Sequence, residues 1–288
     1  MTTKDTYYVP EASHWPIVGA LGIITLLFGV TLSVNGVGGG WFMIAGLMII
    51  AFLFFGWFGD VIDESMSGKY NTQVDASFRQ GMAWFIGSEV FFFATFFGCL
   101  YYLRNIVGPW LGGEGYLGET NMLWEGFSFV WPMIQLPDAT NYTTAKQAMG
   151  PMGIPLINTI ILLSSGATLT WAHWGLKKDS QRQLIMGLAF TVTLGLIFFG
   201  FQAYEYYHAY HVLNLTLNSG IYGSTFYMLT GFHGFHVIVG TIMLIVMLVR
   251  AIKGHFSHEH HFAFEAAAWY WHFVDVVWVG LFFFVYWL

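Results

Sequence analysis

Long apolar runs, each broken by a short polar stretch, recur along the whole chain at about residues 15–34, 41–58, 78–103, 154–174, 184–206, 222–249 and 266–288. Each approaches or exceeds the roughly 20 residues that an α-helix needs to cross the hydrocarbon core of a bilayer. The pattern therefore predicts an all-α, polytopic membrane protein with seven transmembrane helices. Only Asn35-Gly36-Val37-Gly38-Gly39-Gly40 separates the first two runs, so they should form an antiparallel hairpin. A polar stretch at 60–77, with Asp60, Asp63, Glu64, Lys69 and Asp75, follows them. It divides the chain into about 1–70, the N-terminal tail with helices one and two, and 71–288, helices three to seven. The longest connection, 105–153, holds Gly112-Gly113, Trp131-Pro132 and Pro137 and is too polar to be a span.

Composition agrees with a lipid solvent. The chain is 56% hydrophobic and only 9% charged, against about 25% charged residues in a soluble domain. Cys99 is the single cysteine, which excludes an intrachain disulfide framework and a multi-cysteine metal site. The net charge of −6 is thinly spread, and no Lys/Arg run points to nucleic acid as a partner. Residues 1–14 are polar and lack a basic segment followed by an apolar stretch and a cleavage site, so the first span reads as a retained anchor rather than a cleaved signal. With seven spans, Lys4, Lys69, Arg79, Lys177, Lys178, Arg182, Arg250 and Lys253 fall on the side of the N-terminus, and only Arg104 and Lys146 on the other. Basic loops stay in the cytoplasm, which predicts an inside N-terminus and an outside C-terminus.

Ionisable groups inside a span are costly and face protein, water or a partner. Glu89 lies deep in the third span, in Ser88-Glu89-Val90-Phe91-Phe92. It reads as a neutral acid bonded to another helix or a lipid-cavity contact, with a proton-transfer group as the sharper alternative. His233 and His236 share one helix face at i, i+3. Such a pair is able to ligate metal or haem, but the flanking Gly231 and Gly234 favour close helix packing, so interhelical hydrogen bonds are the expectation. His272 is the natural partner of Asp275, also at i, i+3, and Gln202, Glu205 and His208 repeat the spacing in the fifth span. Both sets read as bundle glue. His255, His258, His260 and His261 lie in the last loop with Arg250 and Lys253 near by. They suit phospholipid headgroups better than an adventitious divalent metal. Phosphate-binding glycine loops, zinc-protease motifs and copper cysteine pairs are absent from the sequence, so no catalytic residue and no metal site is expected.

The same residues resemble subunit III of the aa3-type cytochrome c oxidases. The resemblance is densest in Tyr222-Gly223-Ser224-Thr225-Phe226, in Thr230-Gly231-Phe232-His233-Gly234-Phe235-His236, and in Phe264-Glu265-Ala266-Ala267-Ala268-Trp269-Tyr270-Trp271-His272-Phe273-Val274-Asp275. Trp15-Pro16, the Glu89 segment, Trp171-Ala172-His173 and Gln202-Ala203-Tyr204-Glu205-Tyr206 extend it along nearly the whole chain.

The resemblance implies that helices one and two splay from the other five around a V-shaped, phospholipid-filled cleft. It implies a non-redox accessory subunit of the enzyme that passes electrons from cytochrome c to O2 and pumps protons. Haem a, haem a3 and copper would then sit in partner subunits and not in this chain. Subunit I would be the main partner and subunit II another, with a respiratory supercomplex left open. The subunit would bind phospholipid, stabilise subunit I, support proton uptake and prevent turnover inactivation. By position, Glu89 matches the family's carboxyl beside the cleft, and Trp57, Glu64, His236, Arg250, Lys253 and His255 match positions near bound lipid. His233, Glu205, His272 and Asp275 remain intramembrane polar contacts.

Gly59 and Asp63 stand where basic residues are common in the family, which weakens a headgroup contact there. The loop at 105–153 is longer than in animal forms, which leans toward a bacterial inner membrane. Two other readings remain. Quinol-oxidase relatives usually lack the first two helices, which the hairpin here argues against. An independent transporter or channel would use Glu89, Asp275 and the histidines as a relay.

Overall fold

The computed structural model describes residues 7–115 and 122–288. Lys4, used above for orientation, lies outside them, as do residues 116–121 of the long connection. Among the described residues there is no strand, and seven helices are long and apolar enough to cross a membrane. They are α1 (Trp15–Val34), α2 (Gly40–Met66), α3 (Thr72–Tyr102), α4 (Ile154–Lys177), α5 (Gln181–His211), α6 (Gly220–Ile252) and α7 (Phe262–Leu281). A π-helical segment, Leu103–Val107, carries α3 on to a last turn at Gly108–Leu111, and another, Phe282–Trp287, extends α7. The chain divides into two compact units, Met1–Gln80 and Gly81–Leu288.

Helix ends differ from the ends of the apolar runs. The second helix runs to Met66 instead of stopping near residue 58, and the third starts at Thr72 instead of 78. Asp60, Asp63 and Glu64 therefore ride on α2, Asp75 lies in the first turn of α3, and the polar link shrinks to residues 67–71. Likewise the long connection begins after Leu111, not at 105. Apolarity marks where hydrocarbon ends. Backbone hydrogen bonds run along the helix and carry it past that point into the polar region.

In the first unit α1 and α2 pack as the expected hairpin. Gly46 lets them meet, because a Cβ there would stand 2.5 Å from the backbone nitrogen of Leu26. At the far end the Trp15 indole Nε1 donates to Asp60 Oδ2 over 2.7 Å, tying the start of α1 to the end of α2. Only 6% of the apolar stretch of α2 is buried within the protein, against 56% for α7. Lipid or protein beyond the hairpin must cover its remaining apolar residues.

In the second unit α4, α5, α6 and α7 pack in sequence, and α7 closes back on α4. Trp271 and Trp278 of α7 are fully buried. Their indole nitrogens donate across to α4, to Ser165 Oγ at 2.8 Å and Thr159 Oγ1 at 2.9 Å. Buried indoles need such acceptors, and hydrocarbon supplies none. Thr168 and Thr191 join α4 to α5 at 2.8 Å, and Tyr206 and Thr230 join α5 to α6 at 2.7 Å. The part of α3 within this unit docks through Phe92 and Phe93, which meet Phe232 of α6 and Phe273 of α7. The long connection folds back onto the α5–α6 link: Lys146 N donates to Leu213 O at 2.8 Å, and Met149 N to the Tyr222 hydroxyl at 3.1 Å. Asp138 caps a turn there. Hydrogen bonds from Thr140 and Asn141 hold its carboxyl down at about 2.

Gly46→Leu is expected to force α1 and α2 apart and lower stability by about 1–3 kcal/mol, as overpacking does. The thermal unfolding midpoint of the detergent-purified protein measures it, and an unchanged midpoint would show that the hairpin does not depend on this close approach.

Candidate functional site

Glu89 of α3 and His236 of α6 meet, with Nε2 of the imidazole 2.9 Å from Oε2 of the carboxyl. The side chains are 21% and 9% exposed. His236 Nδ1 lies 2.7 Å from the Phe232 carbonyl, one helical turn back. A carbonyl only accepts, so Nδ1 carries a hydrogen. The bond between Nε2 and Oε2 then needs one more proton, held by either partner. Acid with imidazole and carboxylate with imidazolium both carry zero net charge. Either state therefore avoids an uncompensated charge in a low-dielectric site. Phe93 stands edge-on to the imidazole at 4.9 Å, and Tyr270 stacks beside it at 6.3 Å. The arrangement is an aromatic-walled pair that holds one proton between two heavy atoms.

The other intramembrane residues act separately. His233 shares a helix with His236 but turns to α7, where its Nε2 donates to the Val274 carbonyl at 3.2 Å. Its ring packs against Phe198 and Trp278. The i, i+3 pair therefore serves two different helices. His272 Nδ1 is 3.4 Å from Asp275 Oδ2, as their spacing predicts. Gly166 of α4 makes room for that carboxylate, since a Cβ there would overlap Asp275 Oδ2. Glu205, fully buried, accepts from the Tyr286 hydroxyl at 2.6 Å.

At the end of α6, Arg250 is 6% exposed, with its guanidinium 4.8 Å from the Phe256 ring centroid. Its Nε and the Nδ1 of His255 are buried and make no hydrogen bond. Lys253 is exposed at the helix C-cap, where a cation complements the helix dipole. In the first unit Trp57 is 47% exposed on α2. Glu64 accepts from the Tyr8 and Tyr70 hydroxyls, each at 2.8 Å. Burial, then the bond to Glu64, pushes the Tyr70 phenol well above its ordinary range.

Residues 5–113 and 121–288 match the family model for cytochrome c oxidase subunit III. The chain belongs to the cytochrome c oxidase subunit III family. It is 39% identical to cytochrome c oxidase subunit 3 of Formosania lacustris, covering 98% of this chain and 96% of that one. The subunit 3 of Arabidopsis thaliana is 39% identical over 99% of this chain and 97% of its own length. That of Marchantia polymorpha is 40% identical over 100% and 98%.

For this subunit III family member the structure also joins three residues that sequence reasoning kept apart. His173 Nε2 on α4 is 3.5 Å from Glu265 Oε1 on α7, and His261 Nε2 is 3.3 Å from the same oxygen. In the sequence His261 belongs to the histidines of the last loop, Glu265 to the stretch Phe264–Asp275, and His173 to Trp171-Ala172-His173. One signal was present in the sequence: His261 and Glu265 stand at i, i+4, which puts them on one helix face. Nothing in the sequence pointed from them to α4.

Glu89→Gln is expected to cost no more than about 1 kcal/mol, because its amide still donates to His236 Nε2. Glu89→Ala leaves that nitrogen unpaired and should cost about 1–3 kcal/mol. Thermal unfolding of the two purified variants separates these outcomes, and equal losses would mean that the carboxyl's own proton holds the helices together.

Proposed function

We propose that this chain is the non-redox subunit III of an aa3-type cytochrome c oxidase, the respiratory complex that carries electrons from cytochrome c to O2 and pumps protons. The observation that carries this reading is the match to one family over nearly the whole chain, at about two residues in five identical to its relatives. In this reading haem a, haem a3 and copper belong to subunits I and II, and this chain packs mainly on subunit I. The exposed apolar faces support such a role. Trp84 and Phe91 on α3 and Val276 on α7 are 82%, 76% and 71% exposed, and lipid or a partner must cover them.

The chain also binds structural phospholipid in this proposal. Arg250 and the exposed Lys253 bring positive charge to the end of α6, and Arg250 and His255 keep buried nitrogens that lack a hydrogen-bond partner. This chemistry fits an anionic headgroup. Glu89, with its shared proton, is the group through which the subunit would support proton uptake by subunit I. The basic residues flanking the spans favour an N-terminus inside and a C-terminus outside. The long connection between α3 and α4 favours a bacterial inner membrane.

Purification in mild detergent through a tag on this chain is expected to bring down a large partner and the visible spectrum of haem a. Stripping this chain away should leave the haem with the partner. A colourless chain purifying alone would overturn the proposal and raise an independent transporter in its place. Arg250→Lys combined with Lys253→Ala is expected to lower the phospholipid retained per complex, since a lysine cannot reproduce the guanidinium's fork of donors. Unchanged lipid phosphorus would remove these residues from the headgroup site.

A further inference from the structure

We propose that His173, His261 and Glu265 form a binding site for one divalent transition-metal ion of the zinc class, which clamps the end of α4 to the start of α7. The three side chains come from different places: His173 from the last turns of α4, His261 from the residue before α7, and Glu265 from the first turn of α7. Their nearest ligand atoms all lie within 4.8 Å of one another. The two measured edges are 3.5 Å and 3.3 Å. Around a tetrahedral zinc ion with bonds of about 2.0–2.1 Å, neighbouring ligand atoms stand about 3.3–3.4 Å apart. Two of the three edges match this spacing, and the third, between the two imidazoles, lies within 4.8 Å.

Hydrogen bonding supports the same conclusion. His261 Nδ1 lies 3.0 Å from the Ser257 carbonyl, which only accepts, so Nδ1 carries the hydrogen. In the neutral ring this leaves a lone pair on Nε2, facing Glu265. Fixing one ring nitrogen by a backbone carbonyl is how metal-binding histidines are oriented. The Nε2 atoms of both His173 and His261 are buried and make no hydrogen bond, although Glu265 Oε1 is close to each. Both imidazoles approach the same carboxylate oxygen. A metal ion there satisfies both nitrogens at once.

The donor set selects the metal. Two imidazoles and one carboxylate suit zinc, copper or nickel, whereas calcium and magnesium prefer oxygen ligands throughout. The side chains are 22%, 10% and 14% exposed, so the site is reachable and leaves a fourth position for water. The ion, two neutral imidazoles and one carboxylate sum to a single positive charge.

The test uses the assembled complex, purified through a non-histidine tag on this chain, washed with chelator and titrated with zinc chloride. Zinc is counted per copy of this chain, so the result stands whether or not haem co-purifies. Wild type is expected to hold one zinc more than Glu265→Gln, His261→Asn or His173→Gln, or to bind that zinc at least about tenfold more tightly. X-ray absorption at the zinc edge of the wild type loaded with one equivalent should show two imidazoles, which needs no variant to fold. Equal stoichiometry and affinity in wild type and all assembled variants, or a zinc spectrum without imidazole, would overturn the proposal.

Discussion

Hydrocarbon accepts and donates no hydrogen bonds, so each polar group carried into the membrane must be answered inside the protein. That constraint is met by several cross-helix bonds in the second unit, although Asn158, Gln202 and the Nδ1 of His233 are buried without a hydrogen bond. Trp271 and Trp278 find Ser165 and Thr159, Tyr286 finds Glu205, and His233 finds the Val274 carbonyl. Each bond except the last joins side chains, and each spans two segments of the unit. Apolar contact is weakly selective in lipid, because tails are as apolar as leucine. The hydrogen bonds therefore set which helices are neighbours and how each is rotated.

α7 is the helix on which these bonds converge. It is the most buried of the seven, and its polar groups reach α4 and α6. α2 stands at the other extreme, with 6% of its apolar stretch buried. A chain built this way has a firm interior and a large surface that only lipid or another subunit completes, as membership of a multisubunit family implies.

The Glu89–His236 pair obeys the same constraint in a more reactive form. Because the Phe232 carbonyl occupies His236 Nδ1, the remaining bond to Glu89 holds one proton whichever atom carries it. At the end of α6 and beside the start of α7 the answering is incomplete. Arg250, His255, His173 and His261 each keep a buried nitrogen without a hydrogen bond. A ligand from outside the chain would find polar atoms to bond there.

The seven spans, the first hairpin and the His272–Asp275 pair were all legible in the amino-acid order. Hydrocarbon thickness is read by counting apolar residues, a tight glycine-rich turn allows one arrangement of its flanking helices, and an i, i+3 pair is local. Helix ends were not legible, since α2 and α3 continue into polar residues that no longer report the membrane. Nor were the long-range pairings. Glu89 and His236 are 147 residues apart, and His173 belongs with His261 and Glu265 only once α4 and α7 are packed. A helix apolar on every side gives no face from which to infer its rotation. Only the packed bundle decides which polar groups meet, because only there do groups far apart in the chain come within reach of one another.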